Sequence, residues 1–419
     1  MRLLYVLLLY LLAPGIWLWQ YGRNLRLPLE SARVRERFGH VPPPPGPVAV
    51  WVHAVSVGET LAALPLIRAL VAKHGPQRVL VTSGTPTGSE RVRAALADSV
   101  LHCYAPYDLP HVIRRFLNRM QPRQVVIMET ELWPCLYRGL ARRRVPLLIA
   151  NARLSPGSFR GYLRVRRFIG SVLGDVQFIA AQSAADAERF RALGASRVDV
   201  TGNIKFDIQP DAQQVSAGRA FAAGFAAGQP VWIAASTHEG EETAALQAHR
   251  QLLAVLPQAR LILVPRHPQR FAAVEQQLQR AGLRYTRRSR ATEGGQAQYA
   301  QVLLGDSMGE MWFYLAMADL AFVGGSLAPV GGHNVLEPAA LGLPVLFGPH
   351  MHNFIVARDQ LLAAQGALQL ADAHALSGTV SRLLQDAPER QRMGRAAQAA
   401  LAANAGTLQR LLALLEQTA

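Results

Sequence analysis

The feature that most constrains the fold is a repeated alternation of short apolar runs with longer segments of helical periodicity. It begins with VAVWVHAV followed by TLAALPLIRALVAKHG, and continues through RVLVTS, QVVIME and PLLIANA, each followed by a helix-like segment. Short apolar runs bounded by turn residues predict buried strands, and their alternation with helices predicts a parallel sheet covered on both faces. The sequence therefore predicts an α/β fold.

The same rhythm restarts after an alanine-rich stretch at 208–228, with PVWIAAST, RLILVPRH, QVLLGD, LAFVGG and PVLFGP. A chain of 419 residues exceeds the size at which one hydrophobic core usually stops growing. We therefore expect two Rossmann-like domains, at 23–207 and 208–400, and a final helix at 401–419 that packs back towards the first. Ligands of such sheets bind beyond the carboxyl ends of the strands, in a cleft when two domains face each other.

An almost uncharged apolar run from Leu3 to Trp19 opens the chain and is long enough to enter or just cross a bilayer. It predicts a membrane anchor over residues 1–22. The alternative, a cleaved signal peptide, lacks a small-residue cleavage site, and Trp17 and Tyr21 have the character of interfacial aromatics along with Trp19. Because Pro14 and Gly15 interrupt the run, a spanning helix and a helix lying in one leaflet both stay open.

Positive charge dominates the chain and follows the anchor. The formal net charge is +16, and only Arg2 precedes the apolar run, whereas Arg23, Arg26, Arg33, Arg35 and Arg37 follow it. This asymmetry predicts that the body lies on the cytoplasmic face. Nine further arginines occur within 138–167 without an acidic residue, a pattern that suits anionic lipid and phosphate groups. The aromatic content of 7% and the lack of a recognisable nucleic-acid module argue against nucleic acid.

Only two cysteines are present, Cys103 and Cys135, and neither belongs to a CxxC pair or a histidine cluster. We therefore expect reduced, structural thiols and no zinc site. No DxD-type metal motif lies near the glycine-rich segment described below, and no cofactor is expected.

A first candidate catalytic group is Glu59, in the turn Ser-Val-Gly-Glu between a buried strand and a helix. An acidic residue in a first helical turn often does no more than complement the helix dipole. A carboxylate at a strand end can equally act as a general base. Both interpretations stay open for Glu59.

Glu129 and Glu131 follow the apolar run VVIM. Residues two apart on a strand face the same side, so both carboxylates can point into one pocket if the extended conformation continues that far. Ion pairs with the arginines that follow are the alternative.

Several basic side chains also follow predicted strands or glycine turns. Lys205 in TGNIKFD can contact a phosphate or lie at the surface, and Arg266 in VPRHP is aimed at the ligand edge of the second domain. His267 is expected to form hydrogen bonds or to pack rather than to bind metal.

The most informative segment is GGSLAPVGGHNVLEPAALG, which follows a hydrophobic strand. Glycines let backbone amides approach a phosphate, and a helix that opens at this point would add its positive amino-terminal end. Glu337 lies one helical turn after Asn334 and can accept hydrogen bonds from ribose hydroxyls. The pattern indicates a nucleotide site.

Together these motifs resemble the 3-deoxy-D-manno-octulosonic acid (Kdo) transferases of lipopolysaccharide synthesis. The resemblance runs from the amino-terminal segment to the last helix and is carried by HAVSVGET, TPTGSERV, YDLP, IMETELWP, IANARLS, TGNIKFD, STHEGEE, VPRHP, GDSMGEM, FVGGSL and GGHNVLEPAA. It implies a GT-B fold, an inverting reaction without metal, the donor CMP-Kdo and, as acceptor, the phosphorylated lipid A precursor lipid IVA. It also implies that the enzyme works at the cytoplasmic face of a bacterial inner membrane.

The resemblance further assigns roles to individual residues. Glu59 becomes the base that accepts the proton of the lipid hydroxyl, and Glu129 and Lys205 stabilise the transition state. The remaining assignments are contacts with the acceptor by Ser56, Glu131 and Arg153, and contacts with CMP by Pro265, Arg266, Met308, Gly309, Glu310, Asn334, Val335, Leu336 and Glu337.

Two rivals to this interpretation remain. One is a transferase of the same fold for a different CMP or UDP sugar. The other is a basic, membrane-tethered binding protein without catalysis, whose lipid binding would not depend on Glu59.

Overall fold

The computed structural model describes residues 1–24, 33–291 and 293–418, and for residues 13, 14, 16–24 and 296 it describes the backbone alone. The chain divides into two compact units. Unit 1 comprises Met1–Asp207 and Ala405–Ala419, and unit 2 comprises Ile208–Asn404. Each unit is built on a parallel sheet with helices between its strands, which confirms the prediction of two α/β domains.

Unit 1 contains a seven-stranded parallel sheet in the order β3-β2-β1-β4-β5-β6-β7. Strands β1, β2, β4 and β5 are buried along their whole length, as expected for a parallel sheet covered on both faces. The strands are β1 Val50–Ala54, β2 Val79–Ser83, β3 Leu101–Tyr104, β4 Gln124–Met128, β5 Leu147–Ala152, β6 Phe178–Ala181 and β7 Val198–Val200.

The helices of unit 1 begin at recognisable signals in the sequence. Ser56, Thr85, Ser155 and Ser183 are N-caps whose side chains accept a backbone N–H of the first turn. The helices are α1 Arg2–Asn24, α2 Val34–Arg37, α3 Val57–His74, α4 Pro86–Leu96, α5 Pro110–Met120, α6 Pro134–Arg142, α7 Pro156–Leu163, α8 Arg166–Leu173, α9 Ala184–Ala192 and, from the end of the chain, α18 Thr407–Thr418.

Helix α18 packs back onto unit 1. Leu411 and Leu415 are buried in the same apolar cluster as Ile67 of α3. The side-chain amide of Gln124 donates to the carbonyl of Leu415 at 2.9 Å, and Asp207 accepts the backbone N–H groups of Gly406 and Leu408. The last segment of the chain therefore completes the core of the first unit.

Unit 2 contains a second seven-stranded parallel sheet, in the order β10-β11-β9-β8-β12-β13-β14. Its strands are β8 Val231–Thr237, β9 Arg260–Pro265, β10 Tyr285–Arg287, β11 Val302–Leu304, β12 Leu320–Val323, β13 Val345–Phe347 and β14 Ala367–Gln369. Its helices are α10 Ala212–Phe225, α11 Glu241–Val255, α12 Phe271–Arg280, α13 Met311–Leu315, α14 Leu336–Ala340, α15 Ile355–Ala363, α16 His374–Gln385 and α17 Ala387–Asn404.

Both sheets have a position where the strand order reverses. In unit 1 the chain runs outward from β1 through β2 and β3, and returns to place β4 on the other side of β1. In unit 2 the same happens between β8 and β12. Loops that leave the carboxyl ends of strands at such a switch point diverge and leave a crevice, which is where ligands of these folds bind.

Helix α1 is attached to unit 1 through polar side chains. The contacts are Arg2 with Asp175 at 2.7 Å, Tyr5 with Asp108 at 3.0 Å and Tyr10 with His111 at 2.7 Å. Across residues 1–24, 33–291 and 293–418, none of the helices combines the length and apolar character that crossing a bilayer requires. The membrane anchor predicted over residues 1–22 is therefore not supported in its spanning form.

Of the arginines from which the cytoplasmic position of the body is predicted, some have side chains outside the described residues and others contact unit 1. Arg26 lies outside the described residues, as do the side chains of Arg23 and of the aromatic residues at 17, 19 and 21. Arg33 is paired with Glu36 at 2.8 Å, and the guanidinium of Arg37 lies 4.2 Å from the ring centroid of Tyr104. These two arginines are engaged within unit 1.

Candidate active site

Glu59 lies at the carboxyl end of β1, in the first turn of α3. Its Oε1 accepts the hydroxyl of Ser56 at 3.0 Å and its Oε2 accepts the backbone N–H of Val55 at 2.8 Å, while its own N–H donates to Ser56 Oγ at 3.3 Å. This reciprocal arrangement resembles a capping box, in which N-cap and N3 side chains satisfy orphan donors of a helix start. Glu59 therefore has a structural role in capping the start of α3, in addition to the effect on the helix dipole considered from its position.

The environment of Glu59 also alters its acidity. The side chain is partly buried, and burial raises the pKa of its carboxyl group; the hydrogen bonds from Val55 and Ser56 partly oppose this, and the charge of Glu129 adds to it. A carboxylate with a raised pKa is a stronger base. The cap and the candidate base are thus the same group.

Glu129 occupies a strained backbone position just beyond β4. Its φ of 56° is in the left-handed region, which is uncommon outside glycine and is concentrated at functional sites. Its backbone N–H donates to the carbonyl of Ala150 at 2.9 Å, and its Oε2 lies 3.7 Å from the guanidinium of Arg153. The ion pair expected as the alternative role is present, although the Arg153 side chain is 61% exposed and the pair is long.

Glu131 shares the electrostatic surroundings of the other two carboxylates. Burial raises its pKa to about 7, the charges of Glu59 and Glu129 add to the rise, and a hydrogen bond with Trp133 opposes it. The expected reason for their proximity, continued strand geometry, does not apply because β4 ends at Met128 and Glu129 turns out of the extended conformation. The group of Glu59, Glu129 and Glu131 is called the carboxylate group below.

Lys205 is held in a 3-10 turn, Ile204–Phe206, whose position depends on the end of β5. The side-chain oxygen of Asn151 accepts the backbone N–H of Ile204 at 3.0 Å, and Asn203 caps the turn by accepting the N–H of Lys205 at 3.1 Å. Ile204 is buried in the same apolar cluster as α3. The turn that carries Lys205 therefore packs against α3, whose first turn contains Glu59.

The nine arginines at 138–167 all lie at the surface of unit 1. Some of them border a groove of about 650 Å³ between α1, α5 and α6, where Arg138, Arg142 and Arg143 face an apolar wall. The lining of this groove therefore combines cationic and apolar groups.

In unit 2, Pro265 ends β9 and Arg266 follows it at the surface. The backbone N–H of Arg266 donates to the carbonyl of Thr237 at 2.9 Å, which joins the ends of β9 and β8. The guanidinium of Arg266 lowers the pKa values of Glu337 and His333, although burial is the larger effect at both. Arg266 thus lies within electrostatic reach of the loop that follows β12.

The segment GDSMGE, after β11, forms a second loop of this edge. Glu310 pairs with Arg288 at 3.1 Å, and the carbonyl of Gly309 accepts the side-chain amide of Gln214 at 3.0 Å. The side chain of Met308 is 56% exposed. These two contacts fix the loop at Glu310 and Gly309, whereas the side chain of Met308 extends into solvent.

Asn334 and Glu337 lie together after β12. The side-chain oxygen of Asn334 accepts the backbone N–H of Leu336 at 3.1 Å, and its side chain also forms a hydrogen bond with Glu337. Burial raises the pKa of Glu337 to about 7, against the opposing effects of Asn334 and Arg266. A carboxyl group of this kind accepts hydroxyl hydrogen bonds well once a partner arrives.

Two expectations for this motif need correction. Helix α14 has only five residues, so the helix that the glycine-rich segment was expected to open contributes a small dipole. The side chains of Val335 and Leu336 are buried in the core, with 0% and 2% exposure, because this face of the turn packs inward. Any contact of these two residues with a nucleotide would have to use their backbone.

The sequence interpretation did not identify Glu241, at the start of α11. Its buried carboxylate accepts five backbone N–H groups at 2.7–3.2 Å, which belong to His238, Gly325, Ser326, Leu327 and Ala328. Four of these donors form the loop after β12. Glu241 therefore determines the shape of the loop that leads to His333 and Asn334.

His238 and His333 were also missed, although both belong to motifs quoted above, STHEGEE and GGHN. Their Nε2 atoms lie 2.7 Å apart. Within the described parts of the chain, no three His, Cys, Asp or Glu side chains are grouped in a way that could hold a metal ion.

Comparison with known proteins gives a consistent result. A family model described as 3-deoxy-D-manno-octulosonic-acid transferase matches residues 32–208. The chain is 41% identical over 423 residues to the 3-deoxy-D-manno-octulosonic acid transferase of Haemophilus influenzae, covering 99% of this chain and 98% of that protein. It is 42% identical over 430 residues to the enzyme of the same name from Bordetella pertussis, covering 99% of both.

Among solved structures, UDP-GlcNAc 2-epimerase from Neisseria meningitidis bound to UDP-GlcNAc superposes with a TM-score of 0.58. The alignment covers 88% of this chain and 100% of that one at 14% sequence identity. At this identity the two proteins share a fold.

The role of Glu241 gives a stability prediction. Replacing Glu241 with Ala leaves five backbone donors without their acceptor, so the free energy of unfolding should fall by about 3–5 kcal/mol. Glu239, whose side chain is 89% exposed, supplies the matched control, and Glu239→Ala should change stability by less than about 1 kcal/mol. Urea denaturation followed by circular dichroism measures both, and equal effects would contradict the assigned role.

Proposed function

Because the chain belongs to the Kdo transferase family, glycosyltransferases of lipopolysaccharide biosynthesis, we propose that it transfers Kdo from CMP-Kdo to the phosphorylated lipid A precursor lipid IVA. The observation that carries the proposal is the position of Glu59. A carboxylate with a raised pKa lies at the switch point of unit 1, among two further carboxylates that affect one another. Carboxyl groups whose pKa values are raised by burial and by one another are typical of acid–base sites, which supports the role of a base for Glu59.

In the proposed reaction Glu59 removes the proton from a hydroxyl of the lipid. The freed oxygen attacks the anomeric carbon of Kdo while CMP departs from the opposite side, so the configuration inverts. The proton ends on the Glu59 carboxylate and the electron pair of the broken bond stays on CMP. The hydrogen bonds from Val55 and Ser56 hold the carboxylate in one orientation for this step.

Glu129 and Lys205 act on the transition state in this proposal. A sugar centre that loses its leaving group before the new bond is complete carries positive charge, which the fixed carboxylate of Glu129 stabilises. The ammonium of Lys205 stabilises developing negative charge. The left-handed backbone of Glu129 and the capped turn around Lys205 support the assignment, since hydrogen bonds of both backbone N–H groups fix the main chain from which each side chain extends.

Acceptor recognition is proposed to involve three neighbouring residues. Arg153 is exposed and its guanidinium suits a lipid phosphate, with Glu129 orienting it from one side. Ser56 acts through Glu59, to which its hydroxyl already donates. Glu131 accepts a sugar hydroxyl of the lipid.

The donor is proposed to bind in unit 2. Arg266 and the backbone of Pro265 contact the phosphate, Glu337 accepts the ribose hydroxyls beside Asn334, and the remaining contacts come from Met308, Gly309, Glu310, Val335 and Leu336. Charge on the departing phosphate is stabilised by Arg266, so the proposed reaction needs no metal ion and no cofactor. The exposed position of Arg266 and the partial burial of Glu337 support this division of roles.

We also propose that α1 lies in one leaflet at the cytoplasmic face of the inner membrane. Leu3, Leu4, Leu7, Leu8, Leu11 and Leu12 are 50–81% exposed on a helix whose polar side chains contact unit 1. Exposed leucines beside a field of arginines match a helix that binds the interface of an anionic bilayer. The surface arginines then face lipid headgroups and the phosphates of the acceptor.

The first test of the mechanism is Glu59→Gln, which preserves shape and removes the base. Turnover should fall by about 10²–10⁴-fold while CMP binding and the unfolding transition stay unchanged. Because burial raises the pKa of Glu59, the wild-type rate should decline as the pH falls through a value above that of an ordinary glutamate. Mass analysis of lipid IVA incubated with CMP-Kdo measures the product, and the exposed Glu90→Gln is the control. Retained turnover in Glu59→Gln would exclude Glu59 as the base.

The second test separates donors. CMP at one hundred times its dissociation constant should stabilise unit 2 by about 2.7 kcal/mol, whereas UDP at the same concentration should not. Thermal unfolding with each nucleotide measures the difference. Protection by UDP alone would favour a transferase for a UDP sugar.

The third test concerns the membrane. Leu7→Glu combined with Leu11→Glu should weaken sedimentation with phosphatidylglycerol vesicles by about tenfold or more, since two exposed leucines lose their insertion. Val255→Glu, which alters an exposed apolar side chain of unit 2, is the matched control. Equal vesicle binding by wild type and double variant would rule out insertion through this helix.

A further inference from the structure

Three histidines and an arginine of unit 2 meet at the ends of three adjacent strands. His238 follows β8, Arg266 and His267 follow β9, and His333 lies in the loop after β12. The ring centroids of His238 and His333 lie 5.0 Å apart with 6° between the ring planes, so the two rings lie edge to edge in nearly one plane. The ring of His267 meets His238 edge-on at 5.3 Å. This is the switch point of the second sheet.

The contact between His238 and His333 determines how many protons the two rings can hold. Their Nε2 atoms are 2.7 Å apart, so one nitrogen must donate a hydrogen and the other must accept it. A neutral pair satisfies this with one bare Nδ1 on the donating ring. One further proton can bind that Nδ1 without disturbing the contact, whereas a second would place two hydrogens between the facing nitrogens. The pair can therefore take up a single proton.

The surroundings disfavour that proton in the protein alone. Burial lowers the pKa of His333 to about 4 and also lowers that of His238, and Arg266 and His267 lower both further. Arg270 acts in the same direction on His238, and Glu241 opposes it. Glu241 already accepts five backbone N–H groups, which spreads its charge over the loop after β12. A bound anion would act in the opposite direction and favour the protonated pair.

The loop also holds the rings in place. Gly325 has a φ of +67°, and a Cβ at this residue would lie 2.9 Å from His333 Nε2, so only glycine lets the ring rest against the backbone. The hydrogen bond from the backbone N–H of Arg266 to the carbonyl of Thr237 joins the neighbouring ends of β9 and β8. The pair is thus preorganised beside the groups proposed to bind the donor.

We propose that His238, His333 and Arg266 form an oxyanion subsite in which the histidine pair takes up one proton from solvent when the donor binds. The inference rests on the proposed function, because the anion is then either the phosphate or the carboxylate of CMP-Kdo. The resulting cationic pair neutralises that anion and, for the phosphate, stabilises the charge left on CMP.

Calorimetric titration of the full chain tests the proposal without a variant. CMP and CMP-Kdo are titrated separately, without acceptor, at about pH 8, where a free phosphate monoester is fully ionised. Each titration is repeated in two buffers of different ionisation enthalpy. The difference between the two apparent binding enthalpies gives the number of protons taken up on binding. Proton uptake on binding of CMP identifies the phosphate as the anion. Proton uptake on binding of CMP-Kdo but not of CMP identifies the carboxylate. Binding without uptake of protons in both cases overturns the proposal and leaves the proposed function intact, whereas failure of both to bind overturns both.

Variants then assign the uptake to the pair. His333→Gln and His238→Gln should abolish proton uptake and weaken binding of the responsible ligand by about tenfold, with the unfolding transition retained. The exposed His374→Gln should leave both unchanged. Proton uptake that persists in both pair variants would place the titrating group elsewhere and overturn the assignment.

Discussion

The rest of the structure depends on the convergence of parallel strands at one edge of each sheet. Every strand delivers its carboxyl end to the same side, and the reversal between β1 and β4, or between β8 and β12, keeps the loops there from closing over one another. Residues far apart in the chain thereby become neighbours: Glu59 is affected by Glu129, and His238 contacts His333. The same edge can hold polar groups because the strands beneath it are buried and apolar.

The sequence predicts the role of a residue when its partners are close to it along the chain. It does not predict the role when the partners come from distant segments. The position of Glu59 follows from the strand, the Ser-Val-Gly turn and the helix that surround it. Glu241 has an equally ordinary position in a first helical turn, but four of its five donors lie more than eighty residues away. No local pattern distinguishes the two glutamates, so only the tertiary structure identifies which one organises a loop.

Other differences have local physical causes. Strand alternation predicts that Glu129 and Glu131 face the same side, yet the strand ends at Met128, before either glutamate, and Glu129 itself has a left-handed backbone conformation. In the segment after Asn334, adjacent residues were treated as one binding motif, whereas a short turn must bury part of itself, and Val335 and Leu336 are the part that packs inward. An apolar run at the amino terminus predicts membrane affinity, but Tyr5, Tyr10 and Arg2 attach α1 to the protein.

The hydrogen bonds of Glu59 connect fold to chemistry. A carboxylate buried without donors would hold its proton too firmly to be ionised near neutral pH, while one with many donors would be too weak a base. At Glu59, burial raises the pKa and the donors Val55 and Ser56 limit the rise. Both donors lie at the start of α3, so the geometry that begins the helix also adjusts the pKa of the proposed base. Removing the Ser56 hydroxyl would therefore alter the basicity of Glu59 and the start of α3 together.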